Sequence, residues 1–103
     1  MDIFFGTTQV PTAGTAVQIS NTAENVKKIK FKTRFGNTGA MYVGKSTVTA
    51  TAFGWMLEIP VAARPIAETD WIDFGENGAV KLNVFYANAA VDNERVDWIA
   101  ITR

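Results

Sequence analysis

The chain has 103 residues, 48% apolar and 19% charged, with ten basic side chains balanced by ten acidic ones. That composition is ordinary for one globular domain spanning 1–103 with a single modest core. Cysteine and histidine are both absent, which excludes a disulfide framework, a thiol nucleophile and any Ser-His or Cys-His arrangement, and argues against an enzyme. No apolar run approaches the roughly 20 residues of a membrane helix, and no basic start followed by an apolar stretch marks a signal peptide.

From the start, Asp2-Ile3-Phe4-Phe5 is a short apolar opening. Residues 6–24 are rich in Thr, Ala, Gly and Asn, with a short strand expected at Thr15–Ile19. The weak patterning reads as an extended N-terminal arm over 1–24, able to add a strand to a neighbour's sheet edge. Ile3, Phe4, Phe5, Val10, Val17 and Ile19 in this stretch want burial somewhere. Lys28–Phe35 then alternates without fault: Ile29, Phe31, Thr33 and Phe35 on one face, Lys28, Lys30, Lys32 and Arg34 on the other. Period two with one apolar face predicts a half-buried strand.

Gly36–Gly39 reads as a turn, and Met41–Val43 and Thr47–Phe53 as strands joined at Gly44-Lys45-Ser46. Gly54–Ile59 precedes a looser stretch holding Pro60 and Pro65, which resist a central strand. Asp70–Phe74 and Val80–Tyr86 flank Gly75-Glu76-Asn77-Gly78, and Asn-Gly between apolar alternations predicts a hairpin. Val80, Leu82, Val84 and Tyr86 share a face in that reading. Residues 87–93 read as a loop with room for a helical turn, and Val96–Ile101, apolar on both sides, as a central strand. The sum is an all-β chain of seven to nine short strands without a persuasive helix. An antiparallel, jelly-roll-like β-sandwich follows.

Gly39–Ser46 satisfies the P-loop pattern G-x-x-x-x-G-K-[ST] letter for letter. A working P-loop is a flexible loop that opens a helix whose amides hold phosphate. Here Met41-Tyr42-Val43 reads as strand, and the β-branched run after Ser46 is poor for a helix. The match is therefore expected to be coincidental.

Residues 1–51 carry six basic and two acidic side chains, and residues 52–103 four basic and eight acidic. Lys27, Lys28, Lys30, Lys32 and Arg34 form the densest cationic stretch, suited to an acidic partner face or simply to solvent. Net neutrality and the lack of interleaved aromatic residues argue against nucleic acid. Asp70, Asp73 and Glu76, and Asp92, Asn93, Glu94 and Asp97, are acidic groups without EF-hand spacing and read as polar turns, so no metal site is assigned. Trp55, Trp71, Trp98, Tyr42 and Tyr86 read as core or interface residues, with a carbohydrate platform as the alternative.

Val26–Ser46 and the ending Val96-Asp97-Trp98-Ile99-Ala100 resemble a group of small tailed-phage virion proteins. The matching residues are Asn37, Gly39, Tyr42, Val43, Gly44, Ser46 and Val48, then Val96 and Trp98. The group's Leu-x-Pro-Gly-Glu turn stands here as Leu57-Glu58-Ile59-Pro60-Val61, without Gly-Glu. The resemblance implies a non-enzymatic structural part of a virion, such as a capsid decoration (cement) protein or a neck or tail component. It implies no cofactor and a place on the capsid surface after assembly in the host cytoplasm. It also implies a homo-oligomer, dimer or trimer, bound to the major capsid protein or another virion protein. The expected contact residues are Lys27, Lys28, Lys30, Lys32, Arg34, Phe4, Phe5, Val10 and Val17. The alternative function is a carbohydrate- or receptor-binding β-module of a tail or fibre assembly.

Overall fold

Eight strands form two antiparallel sheets in the computed structural model, which describes residues 2–59, 61–64, 66–75 and 80–102. The strands are β1 (Ile3–Val10), β2 (Val17–Gln18), β3 (Val26–Thr33), β4 (Met41–Gly44), β5 (Trp55–Leu57), β6 (Ile72–Asp73), β7 (Tyr86–Ala89) and β8 (Glu94–Thr102). The first sheet has the order β1-β8-β3-β6 and the second β2-β7-β4-β5. The only other element among the described residues is a 3-10 turn over Leu82–Val84.

Alternation in β3 and β8 explains the layering. Ile29, Phe31 and Thr33 of β3 and Val96, Trp98 and Ala100 of β8 turn inward and are buried. They pack with Met41 and Val43 of β4, Leu57 of β5, and Ala87 and Ala89 of β7 in one sandwich-like core. Phe31, Phe85 and Phe74 interlock in tilted pairs, each with ring centroids 5.9 Å apart. β8 is central, as its two-sided apolar pattern predicts, with β1 on one side and β3 on the other.

The structure departs from the sequence reading at five places. Residues 3–10, expected in a loose arm, form the longest partner of β8, with all eight residues in unbroken register from Ile3↔Ile101 to Val10↔Glu94. Residues 17–18 join the second sheet as β2. The weak patterning of β1 has a specific cause at Gly6: a Cβ there would lie 3.1 Å from Cζ2 of Trp98, whose ring covers the inner side of the strand. Glycine in a strand often marks such a close approach.

β3 ends at Thr33 rather than Phe35. The chain turns at Arg34–Asn37, with Asn37 N donating to Arg34 O, and Gly36 adopts φ 103°. Phe35, expected on the buried face, is 76% exposed. Residues 47–53 are not a strand. Val48 N donates to Lys45 O, and Thr49 Oγ1 accepts from the amides of Thr51 and Ala52. Threonine hydroxyls satisfying nearby amides offer the backbone an alternative to a ladder. A hairpin does follow Gly44, but its second arm is β5, and Gly54 N returns to Val43 O at 2.9 Å.

Val80–Tyr86 is not a strand either. Val80 O and Leu82 N are taken by Val26 N and Glu24 O, and the chain tightens into the 3-10 turn. Leu82 is buried while Val84 is 45% exposed, so the expected shared face does not form. Residues 86–89, expected partly as loop, are the well-buried β7. The Asn77-Gly78 hairpin and the two prolines at 60 and 65 lie outside the described residues.

Candidate functional site

The outer face of the first sheet is the most distinctive surface. Beyond a bulge at Lys27, where the β3–β8 register shifts between Val26 and Lys28, the side chains of Lys28, Lys30 and Lys32 point outward. Cross-strand pairing lays the face out in rows: Ile3, Ile101, Lys28; then Phe5, Ile99, Lys30; then Thr7, Asp97, Lys32. One side is thus an apolar strip with Phe5 78% and Ile3 56% exposed, and the other a cationic strip. A shallow groove of about 380 Å³ lies between them, bordered by Phe5, Ile99, Lys30, Lys32 and Glu68.

The cationic strip has acidic company from the second half of the chain. Lys30 Nζ is 3.9 Å from Glu68 Oε1. Lys28 pairs in register with Asp73, and its Nζ sits 4.9 Å above the Trp71 ring. Lys32 stands opposite Asp97 on one side and pairs through its backbone with Glu68 on the other. Acidic residues of the second half thus lie beside the lysine row, with one of them, Glu68, within ion-pair distance. Half-exposed pairs of this kind contribute roughly 0.2–1 kcal/mol each. Lys27 sits at the bulge, its carbonyl accepting from Phe74 N, and Arg34 lies in the turn after β3. The five cations are therefore three in a row and two displaced.

The apolar members of the expected contact set divide. Phe5 points outward. Val10 is fully buried in the chain's own core, and Phe4 and Val17 are partly buried against it. Val10 therefore has no surface left for a partner, while Phe4 and Val17 keep part of theirs.

The P-loop letters have structural roles. Met41–Gly44 is β4, a turn follows Lys45, and no helix starts after Ser46. Ahead of it, Asn37 pairs with β8 like a strand residue: its Nδ2 donates to Arg95 O at 2.7 Å and its Oδ1 accepts from Arg95 N at 3.2 Å. The buried Glu94 carboxylate accepts from Thr38 N at 2.6 Å and Gly39 N at 2.8 Å. Successive amides aimed at one anion form a nest, and here the protein fills it with its own side chain. Asn88, also buried, accepts from Gly14 N and donates to Val48 O, tying two loops to β7. Glu94, expected in a polar turn, is instead a buried residue at the start of β8, and the sequence reading assigned no role to Asn88. The available signal for Glu94 was a carboxylate at an inward position of an alternating strand.

Among the described residues no group of three or more carboxylates gathers as a metal site. Asp92 and Asp97 accept from Ala13 N and Thr7 Oγ1. The large aromatic residues do not form one platform. Trp98 is in the core, where Nε1 donates to Thr8 Oγ1, and Tyr42 stacks on Phe53 with centroids 5.4 Å apart. Trp55 and Trp71 share a shallow cleft of about 450 Å³. A second, apolar groove of about 520 Å³ lies beside Lys45, walled by Phe53, Trp55, Phe74 and Phe85. Among the described residues no helix is long and apolar enough to cross a membrane.

Compared with protein-family models, curated proteins and solved structures, the chain matches none.

Proposed function

We propose that this chain is a non-enzymatic interaction module with a jelly-roll topology, and that it serves as a structural component of a virion, of the capsid-decoration type. The observation that carries the interaction reading is the outer face of the first sheet, where exposed Ile3 and Phe5 adjoin Ile99 and Ile101 beside a row of lysines. An exposed apolar patch rimmed by charge is a common mark of a protein contact site. The buried polar side chains give no competing chemistry: Asn37, Asn88 and Glu94 are each committed to backbone groups.

Two further supports point toward the virion. The strand order β1-β8-β3-β6 over β2-β7-β4-β5 alternates the chain between sheets as an eight-stranded jelly roll does, an architecture used in viral capsid and lectin domains. Fold alone does not assign function; the step to a virion rests on the resemblance carried by Asn37, Gly39, Tyr42, Val43, Gly44, Ser46, Val48, Val96 and Trp98. The mechanism follows from mass action, because a protein that binds only the assembled shell stabilises that shell.

The test is quantitative mass spectrometry of purified particles of the phage that encodes the chain. A fixed copy ratio to the major shell protein is the expected result, and trace amounts that vary between preparations would contradict it. The groove beside Lys45 supports a second reading, a carbohydrate- or receptor-binding module. A saturable change in Trp55 fluorescence on titration with host-surface glycans would favour it.

A further inference from the structure

The first sheet has one edge unlike the others. β2, β5 and β6 close the remaining sheet edges with two, three and two residues respectively. β1 closes its edge with eight residues in unbroken register, Ile-Phe-Phe-Gly-Thr-Thr-Gln-Val, without a charge, a proline or a bulge. Edge strands are ordinarily blunted by those devices, because a free row of amides and carbonyls is a template for another strand.

Which groups are free follows from the pairing. Thr102 N donates to Asp2 O at 2.9 Å, and Val10 O accepts from Asn93 N at 2.8 Å. Even-numbered residues of β1 therefore turn their backbone groups toward β8, and in an antiparallel ladder the odd ones turn away. Ile3 N is held by the Asp2 carboxylate. Among the described residues, no hydrogen bond from outside the β1–β8 ladder reaches the amides of Phe5, Thr7 or Gln9.

The geometry points to a second copy of this chain as the partner of that edge, in a two-fold antiparallel β1–β1 pairing that joins two first sheets into one. A two-fold axis at Gly6 sets Ile3 opposite Gln9 and Phe5 opposite Thr7 of the second copy, so the free amides of Phe5, Thr7 and Gln9 each meet a carbonyl of that copy. Charge selects this contact over a face-to-face one. Apposed outer faces would bring the lysine rows together. Edge pairing keeps the two β3 strands five inter-strand spacings apart, about 24 Å, well beyond the Debye length of about 8 Å at physiological salt. It also sets Phe5 of each copy diagonally beside Phe5 of the other, across Thr7.

Size sets the strength. Eight residues at about 3.4 Å each give an edge about 27 Å long. One sheet layer is about 10 Å thick, so the edge strand presents about 270 Å² per copy, the size of a weak contact. The pairing is thus a weak, concentration-dependent dimer. It goes beyond the proposed function: the pairing uses the outer backbone groups of β1, whereas the docking face uses side chains, with Ile3 and Phe5 shared and Ile99 on the face alone.

The experiment is sedimentation velocity of the purified chain from about 1 µM to about 1 mM, with Thr7→Pro and Phe5→Glu alongside. Proline at position 7 removes an edge amide without breaking the ladder to β8. Glutamate at position 5 sets like charges near the axis while keeping every backbone group. The wild type is expected to pass from monomer to dimer, and each variant to raise Kd at least about tenfold. In the dimer, the amides of Phe5, Thr7 and Gln9 gain protection from hydrogen exchange. If circular dichroism shows that Thr7→Pro does not fold, Phe5→Glu decides. A wild type that stays monomeric, a trimer, or a dimer that folded variants leave intact overturns the pairing, whatever particle analysis shows.

Discussion

Removing the Glu94 carboxylate tests whether the buried polar groups of this chain are structural. Glu94 is 6% exposed and accepts from two backbone amides, at 2.6 and 2.8 Å, and from the Thr38 hydroxyl at 3.3 Å. Hydrogen bonds to a charged group contribute about 1.5–3 kcal/mol each, and an amide left buried without a partner carries its desolvation cost. Thr38 is exposed, so water recovers part of its loss; Gly39 is buried and recovers little. Glu94→Ala is therefore expected to cost about 3 kcal/mol. Unfolding entropy for a chain of this length is about 0.2 kcal/mol per kelvin, so Tm falls by about 14 °C. Glu94→Gln keeps an acceptor oxygen and should lose about 1 kcal/mol, or about 5 °C. Differential scanning calorimetry reads both. If both variants melt within about 3 °C of the wild type, the carboxylate is not holding the loop and is free for another role.

Gly6→Ala should cost about 1–3 kcal/mol by urea unfolding, since the new methyl meets the Trp98 ring at 3.1 Å and the strand cannot retreat from β8. Asn88→Ala should cost about 1–3 kcal/mol, and hydrogen exchange should quicken at Gly14 and in the 45–54 loop that Asn88 ties down. Isothermal calorimetry with Mg-ATP should show no binding heat for the wild type or for Lys45→Ala, because the P-loop letters lie on a strand and a turn; measurable heat that Lys45→Ala abolishes would refute that reading.

Long-range alternation made much of the fold legible. β3 and β8 announce their inward and outward faces by period two, and β8's two-sided apolar character places it in the middle of its sheet. Local competition hid the rest. The threonines at 49 and 51 look like strand formers, but Thr49 binds nearby amides instead. Val80–Tyr86 has a strand's alternation, yet its backbone is claimed by residues 24–26. β1 has little pattern of its own because its order comes from β8 and from a tryptophan 92 residues away, seated over Gly6. The lysine row was visible, but its acidic partners at 68, 73 and 97 become neighbours only when the sheet forms.

The outer face of the first sheet is proposed as a docking surface for an assembled particle. Ile99 lies on that face in a central strand, away from the β1 edge, so Ile99→Lys alters the face without touching edge pairing. Purified wild-type and Ile99→Lys chain should be titrated onto phage particles assembled without the protein, and bound chain quantified by co-sedimentation. Saturable wild-type binding, weakened at least about tenfold by Ile99→Lys, is the predicted result. Particles that bind neither form, or both equally, would contradict it.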